Sequence, residues 1–411
     1  MSTLFNGDED HGEVFLDEDD IEQEINVDEE DLPDANDDLD SDAEVLDEAE
    51  DSIHIFTGHT GELYTVACSP TDTWVATGGG DDNGFLWKIG QGDRVFELQG
   101  HKDSISSVAF SYDGQLVASG SFDGVIKVWD ISSENLKREF EPGAGIEWIR
   151  WHPRKHVVLA GSEDSTIWMW DANTGDYLTI LGHASTVTCG DFTPDGKTIC
   201  SGSDDSSLRV WNSETGKKIH VVRGHHYHTQ GLTCLTITAD STRVLTAAKD
   251  GYVHIVSIAT GKVISSLEKH SDSIECIGLS ARFPLAATGC MDKNLIIWDL
   301  QHSTTDHFVC KHDTRHPFSL SQIFTLPSTH PKFSLSQIFT LPSTHPGTRF
   351  VATGCVDGRV KIWDSSSGEC VNTLRGHTHV IQSIAVSFDG NHLVSVSLDG
   401  TARVFEIPDF H

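Results

Sequence analysis

Residues Gly100 to Asp130 read GHKDSISSVAFSYDGQLVASGSFDGVIKVWD. The stretch opens on Gly-His and closes on Trp-Asp. Between them lie two runs of alternating apolar residues, a Tyr-Asp-Gly turn, and an Asp-Gly turn ahead of a third run. Alternation with period two, punctuated by such turns, predicts strand-turn-strand-turn-strand. Taking His101, Ser119, Asp123 and Trp129 as reference points, the offsets are 22 residues from His to Asp, 4 from Ser to Asp and 6 from Asp to Trp. The same offsets recur at His59/Thr77/Asp81/Trp87, His183/Ser201/Asp205/Trp211 and His270/Thr288/Asp292/Trp298. A unit of about 40 residues with these signals predicts one propeller blade per copy.

Working outward, the Trp positions or their equivalents fall at 87, 129, 170, 211, 256, 298, 363 and 405, which makes eight copies. The chain stops after Phe405-Glu406-Ile407 without a last strand for the eighth copy. Ile53-His54-Ile55-Phe56, before the first Gly-His, is a strand without a blade. Pairing the two closes a ring and removes a sheet edge. The expectation is an all-β chain: residues 1–51 a disordered acidic tail, residues 52–411 a single eight-bladed propeller.

Several copies depart from the pattern. The third lacks Gly-His and has Ala160 at the hydroxyl position, while Asp164 and Trp170 keep their spacing. The fifth offers His225 after the glycine, but His228 has the correct offset to Asp250, and Val256 replaces the Trp. The eighth has His377, Ser395 and Asp399, with Phe405 in place of an indole donor. In the seventh, His312 and Asp357 are 45 residues apart, and FSLSQIFTLPSTHP occurs twice, at 318–331 and 333–346. Neither copy of that phrase reads as an innermost strand. The insertion, 313–347, is expected to make this the weakest blade, since loops of such length are uncommon in compact repeats.

Of 411 residues, 63 are acidic and 28 basic, and residues 1–51 hold 24 of the acids with no Lys or Arg. Such a tract cannot bury a core. The remainder carries 39 acids against 28 bases. This balance disfavours nucleic acid, which needs clustered cations, and suits a basic protein partner. The nine cysteines form no CxxC pair or metal spacing and read as reduced thiols of an intracellular protein. No signal peptide and no membrane-length apolar run is visible. The expected location is the cytoplasm, with the nucleus as a second one, and the expected state a monomer.

A His, a hydroxyl, an Asp and a Trp together suggest a nucleophilic triad. A triad, however, occurs once per active site, and this set recurs. It is better read as a hydrogen-bond chain in which Asp accepts at a turn, His bridges, the hydroxyl relays and the indole donates. No catalytic residue, metal or cofactor is expected. His225, His226 and His228 are the one local histidine cluster, and it lacks a Cys or carboxylate partner. Gly78-Gly79-Gly80 precedes no helix and is no phosphate cradle.

The Gly-His and Trp-Asp units resemble WD-repeat propellers over residues 52–407. Glu147-Trp148-Ile149-Arg150-Trp151-His152-Pro153-Arg154, followed by LAGSEDSTIWMWD at 159–171, resembles the angio-associated migratory cell protein family. That family is similar to a fungal eight-bladed ribosome-assembly chaperone that captures a basic large-subunit ribosomal protein. The resemblance implies a partner surface on the top face, just after the Gly-His and just before the turn Asp. Carried over, those positions are Glu62, Tyr64, Asp103, Phe122, Glu147, Trp148, Glu163, Asp204 and Glu275. Acids interleaved with aromatics suit a Lys/Arg-rich peptide. The implied function is a non-enzymatic chaperone or assembly factor for such a ribosomal protein, the alternative a scaffold in signalling or cell migration. A ligase-receptor role lacks its docking Arg: Ile131-Ser132, Ala172-Asn173, Leu300-Gln301 and Ser365-Ser366 follow the Trp-Asp or equivalent pairs.

Overall fold

The computed structural model describes residues 50–280, 284–301, 307–311, 339–340 and 350–407. Residues 1–49 of the predicted tail, His312 and most of the duplicated segment lie outside them, whereas Glu50 and Asp51, read as the end of that tail, are among the described residues. Among the described residues there is no helix. The strands form eight four-stranded antiparallel sheets, and the innermost strands of successive sheets adjoin in order, with Leu63–Cys68 of the first blade meeting Ile381–Val386 of the eighth. The chain is an eight-bladed propeller.

Ring closure follows the predicted pairing. His54–Phe56 pairs antiparallel with Ala402–Glu406, with His54 opposite Val404 and Phe56 opposite Ala402. Blade eight is thus built from both ends of the domain. Asp51 extends the seam by exchanging bonds with Arg375, donating its N–H to that carbonyl (3.1 Å) and accepting from that N–H on its carboxylate (2.8 Å). Phe56 packs with Trp87, Val394 and Val404 in the core between blades eight and one.

The sequence supplies the layers simply. Second and third strands such as Leu116–Ser121 and Ile126–Asp130 are buried on both faces because sheets stack on either side. The outermost strands alternate, as in Val263–Glu268, where every second residue is exposed. A register shift recurs in the innermost strands, between Leu63 and Thr65, Ile105 and Ser107, and Ile274 and Cys276 among others. The bulge turns two successive side chains toward the next blade. There Thr65 Oγ1 accepts from Val108 N–H (3.3 Å) and Ser107 Oγ from Ile149 N–H (3.1 Å), so neighbouring sheets are bonded as well as packed.

Blade seven differs from the sequence expectation. Phe339–Thr340, inside the second FSLSQIFTLPSTHP, pairs with Val351 and Ala352 and takes the innermost place. The strand is two residues long against six in Ile381–Val386. Ring geometry demands a pairing partner there, and the nearest tolerable segment supplies it.

Candidate functional site

The repeated polar sets assemble as hydrogen-bond chains at one end of each sheet. In blade two His101 Nδ1 lies 3.3 Å from Asp123, His101 Nε2 lies 2.8 Å from Ser119 Oγ, and the Trp129 indole donates to that hydroxyl at 3.2 Å. Blade four repeats this with His183, Asp205, Ser201 and Trp211, the indole bond being 2.8 Å. Blade six does so with His270, Asp292, Thr288 and Trp298, with distances of 2.9, 2.8 and 2.8 Å. Each Asp also accepts the backbone N–H after its histidine, as Lys102 donates to Asp123 at 2.8 Å. The loop between blades is thereby tied to the turn between the second and third strands.

Blade one breaks the pattern. His59 reaches Asp81 and Thr77, each at 3.0 Å, but the buried Trp87 indole nitrogen has no hydrogen-bond partner. Its ring instead stacks on Phe56 at 5.0 Å, 7° from parallel. The expected Trp87 donation is therefore corrected: the closing strand sets the ring's position.

Blade five repairs its missing Trp. His228 contacts Asp250 (3.1 Å) and Thr246 (3.0 Å), and Tyr227 Oη donates to Thr246 Oγ1 at 2.9 Å. Tyr227 follows from no periodic offset, and only its proximity to His228 in the sequence hinted at it. Blade eight closes on His377, Asp399 and Ser395 without an indole. In blade three Trp168, not Trp170, donates to a hydroxyl, that of Thr166 at 2.7 Å. Trp170 stacks against Phe140 and Trp168.

Electrostatics follow from this bonding. Burial opposes ionisation of Asp205, but bonds from His183, Ser207 and the Ala184 N–H outweigh it and hold the carboxyl well below its usual range. Asp399 behaves likewise through His377 and Thr401. Burial lowers His101, His183 and His270, against the opposing pull of the Asp that each ring touches. In the described tetrads of blades two, four and six the histidine beside the hydroxyl is already bonded to the turn Asp. His270, Cys290 and Asp292 present donor atoms within 4.8 Å of one another. Both His270 nitrogens are already bonded, and Cys290 Sγ faces the Asp272 carbonyl at 3.1 Å, the position that Ser121 Oγ holds against Asp103 at 2.8 Å. The trio is two members of the blade-six tetrad beside a Cys that stands where blade two has Ser121. His225 and His226 are exposed, whereas both nitrogens of His228 are engaged.

The nine top-face positions lie on the loops beside the tetrads and on the first residues of innermost strands, with Glu147, Trp148 and Glu163 on blade three, which has no such tetrad. Glu62, Asp103 and Glu163 are exposed, and Tyr64, Phe122, Glu147, Asp204 and Glu275 half-buried. Tyr64 Oη donates to Glu62 at 3.0 Å. Burial, Glu62 and Asp103 push its phenol up to about 12. Asp82, which the sequence reading missed, sits in the same place on a turn with φ of 61°. Burial and the carboxylates of Asp103, Asp81 and Asp123 raise it. The mouth between blades one and two is therefore a focus of negative potential.

On the other side of the face the charge is partly cancelled. Lys249 binds Asp204 at 3.0 Å, and Ser273 donates to Glu275 at 2.5 Å. Trp148 is a correction. It is 6% exposed, fills the space over Gly161 and Gly190, and donates to the Val187 carbonyl at 2.8 Å. It pins blade three to blade four and offers no ring to a partner.

The family description "WD domain, G-beta repeat" matches eight times, over 50–88, 92–130, 135–171, 175–212, 216–257, 261–299, 325–364 and 368–406. Angio-associated migratory cell protein of Homo sapiens is 34% identical over 372 residues, 87% of this chain and 80% of the relative, and the Canis lupus familiaris protein matches equally. Among solved structures, Chaetomium thermophilum Sqt1 bound to the N-terminus of ribosomal protein L10 superposes with a TM-score of 0.76 at 22% identity, covering 87% of this chain and all of that one. Saccharomyces cerevisiae Sqt1 gives 0.75 at 18%, covering 88% of this chain. At such identities the likeness speaks for the fold. Eight matched repeats and the 34% relatives decide the family: the chain belongs to the WD-repeat propellers of the angio-associated migratory cell protein family.

Proposed function

We propose that this propeller is a non-enzymatic, cytoplasmic chaperone that shields a basic segment of a large-subunit ribosomal protein on its top face. The observation that carries the reading is the negative mouth in which Glu62 and Asp103 act on Tyr64 and Asp82 lies within reach of the Asp103 carboxylate. Lys and Arg side chains entering there gain charge-assisted hydrogen bonds, and Tyr64 and Phe122 offer apolar and π surface for their stems. The Sqt1 complex supports the reading, since a propeller of the same architecture is bound there to the N-terminus of a ribosomal protein. Tetrads that lock the loops beforehand lower the ordering cost of binding.

A scaffold in signalling or cell migration is the second reading, favoured by the name of the 34% relatives. Affinity purification from cytoplasmic extract, with and without residues 1–51 and eluted by a salt gradient, separates the two. The chaperone reading expects one basic ribosomal protein, released as screening shortens the reach of the acidic face. Salt-insensitive recovery of signalling subunits would replace it with the scaffold.

A further inference from the structure

The overall acidity conceals a local reversal at the opposite end of the sheets. The turns joining the first and second strands of blades three, four and five span residues 152–156, 193–197 and 238–242. They are latched side by side: His152 Nε2 lies 3.2 Å from the Gly196 carbonyl, and the Asp195 N–H donates to Ser241 Oγ at 3.1 Å. Along this rim Arg154, Lys155, Lys197 and Arg243 are all exposed, Lys197 to 82% of its side chain.

Two acids share the row with the four cations: Asp195 feels the charges of Lys197 and Arg154, and Asp240 that of Arg243, so the cations are in excess rather than alone. Asp195 accepts from Thr193 Oγ1 (2.6 Å) and the Lys197 N–H (3.1 Å), and Asp240 from Thr238 and Thr242. Lys197 Nζ stays 4.0 Å from Asp195. The corresponding turns of blades one, two and eight, 69–73, 111–115 and 387–391, contain no Lys or Arg. At the blade-two end of the row Tyr112 is 45% exposed, its ring 5.6 Å from His156 of the next turn. A row of cations ending in an exposed aromatic ring is the arrangement that tracks a sugar-phosphate backbone and stacks a base. The flat guanidiniums of Arg154 and Arg243 suit phosphate and base faces alike.

We propose that this rim binds single-stranded RNA, with Arg154, Lys155, Lys197 and Arg243 on phosphates and Tyr112 stacked on a base. The site is independent of the top face, so a client and an RNA strand could be held together. The chain's overall charge argued against nucleic acid, but it averages over a molecule whose charge is unevenly placed.

The test is fluorescence anisotropy of the full-length protein with a labelled 12-nucleotide oligouridylate across a salt series. Four phosphate contacts predict a slope of log K against log salt of about −3. Lys155→Glu with Lys197→Glu should weaken binding about tenfold or more and flatten that slope. Tyr112→Ala should weaken it by about fivefold or more, with Tyr112→Phe retaining affinity. Asp103→Lys, on the other face, should not weaken it. Absence of salt-dependent binding, or affinity indifferent to these rim variants, would overturn the proposal. So would a polyglutamate peptide binding as tightly as the oligouridylate and ignoring Tyr112→Ala, which would make the rim a surface for acidic protein.

Discussion

Tyr227 Oη lies 2.9 Å from Thr246 Oγ1, occupying in blade five the donor role that Trp211 and Trp298 hold toward Ser201 and Thr288. Val256, at the tryptophan position, is left to pack in the core with Val244. The chain thus keeps the hydroxyl of a buried Thr bonded by a different route. Tyr227→Phe should cost about 1 kcal/mol, the worth of one buried hydrogen bond, whereas Tyr227→Ala adds a cavity and should cost about 3 kcal/mol or more. Urea denaturation of the two variants checks the ratio, and equal losses would mean that the hydroxyl alone matters there and the ring's packing adds nothing.

His101→Ala takes one hydrogen-bond partner each from Ser119 and Asp123 in blade two, leaving Ser119 the Trp129 indole and Asp123 the N–H groups of Lys102 and Val125. A buried hydrogen bond is worth about 0.5–1.5 kcal/mol net, so losing two should lower the melting temperature. A melting temperature equal to the parent's would show that the tetrad does not stabilise the blade.

Acid should loosen the propeller before the turn carboxylates titrate. Burial, then the neighbouring His228, lower His254 to about 4, and burial lowers His101, His183 and His270. Each of these rings takes up its proton more readily unfolded, near pH 6.5. Their stabilisation is full above that pH and is lost as pH falls through the folded values. For His254 the gap amounts to about 3 kcal/mol. Melting temperatures should decline steadily from pH 7 to 4, and His254→Gln should flatten part of the slope. An unchanged slope would show that His254 is not what links stability to pH.

Gly190 lies under the Trp148 ring, and a Cβ there would come within 2.3 Å of Trp148 Cη2. Gly190→Ala should therefore be as damaging as many core truncations, about 2–3 kcal/mol, by overpacking the joint between blades three and four. Pairing it with Trp148→Phe, which withdraws the ring's far edge, should recover part of the loss. A double-mutant cycle measures the coupling, and strict additivity would mean that the two residues do not share this space.

Asp103→Lys places a cation in the negative mouth beside Tyr64 and Asp82. Binding of a Lys/Arg-rich client peptide should weaken about tenfold at low salt, and the difference should shrink as salt rises. The Tyr64 phenol should titrate lower in the variant, because one of the charges that raises it has been inverted. Client affinity unchanged at all salt concentrations would move the binding site off this mouth.

Blade number and the ring-closing strand were legible in the sequence because each is a matter of fixed spacing, which also left His228 as one of two candidates in blade five. An offset of 22 residues between His and Asp is the length of chain needed to run along two strands and return to the same end of the sheet. What the spacing could not reveal is how one blade meets the next. Trp148 reads as a face residue by position and is buried because Gly161 and Gly190 leave room for its ring. Trp87 keeps the right offset and loses its partner because Phe56, brought from the start of the domain, lies flat against it. Asp82 joins Asp103, and Arg154 joins Lys197 and Arg243, only when neighbouring repeats stand side by side. Repeat periodicity determined the blades, and closure of the ring decided which side chains from residues some forty positions apart share a joint or a charged face.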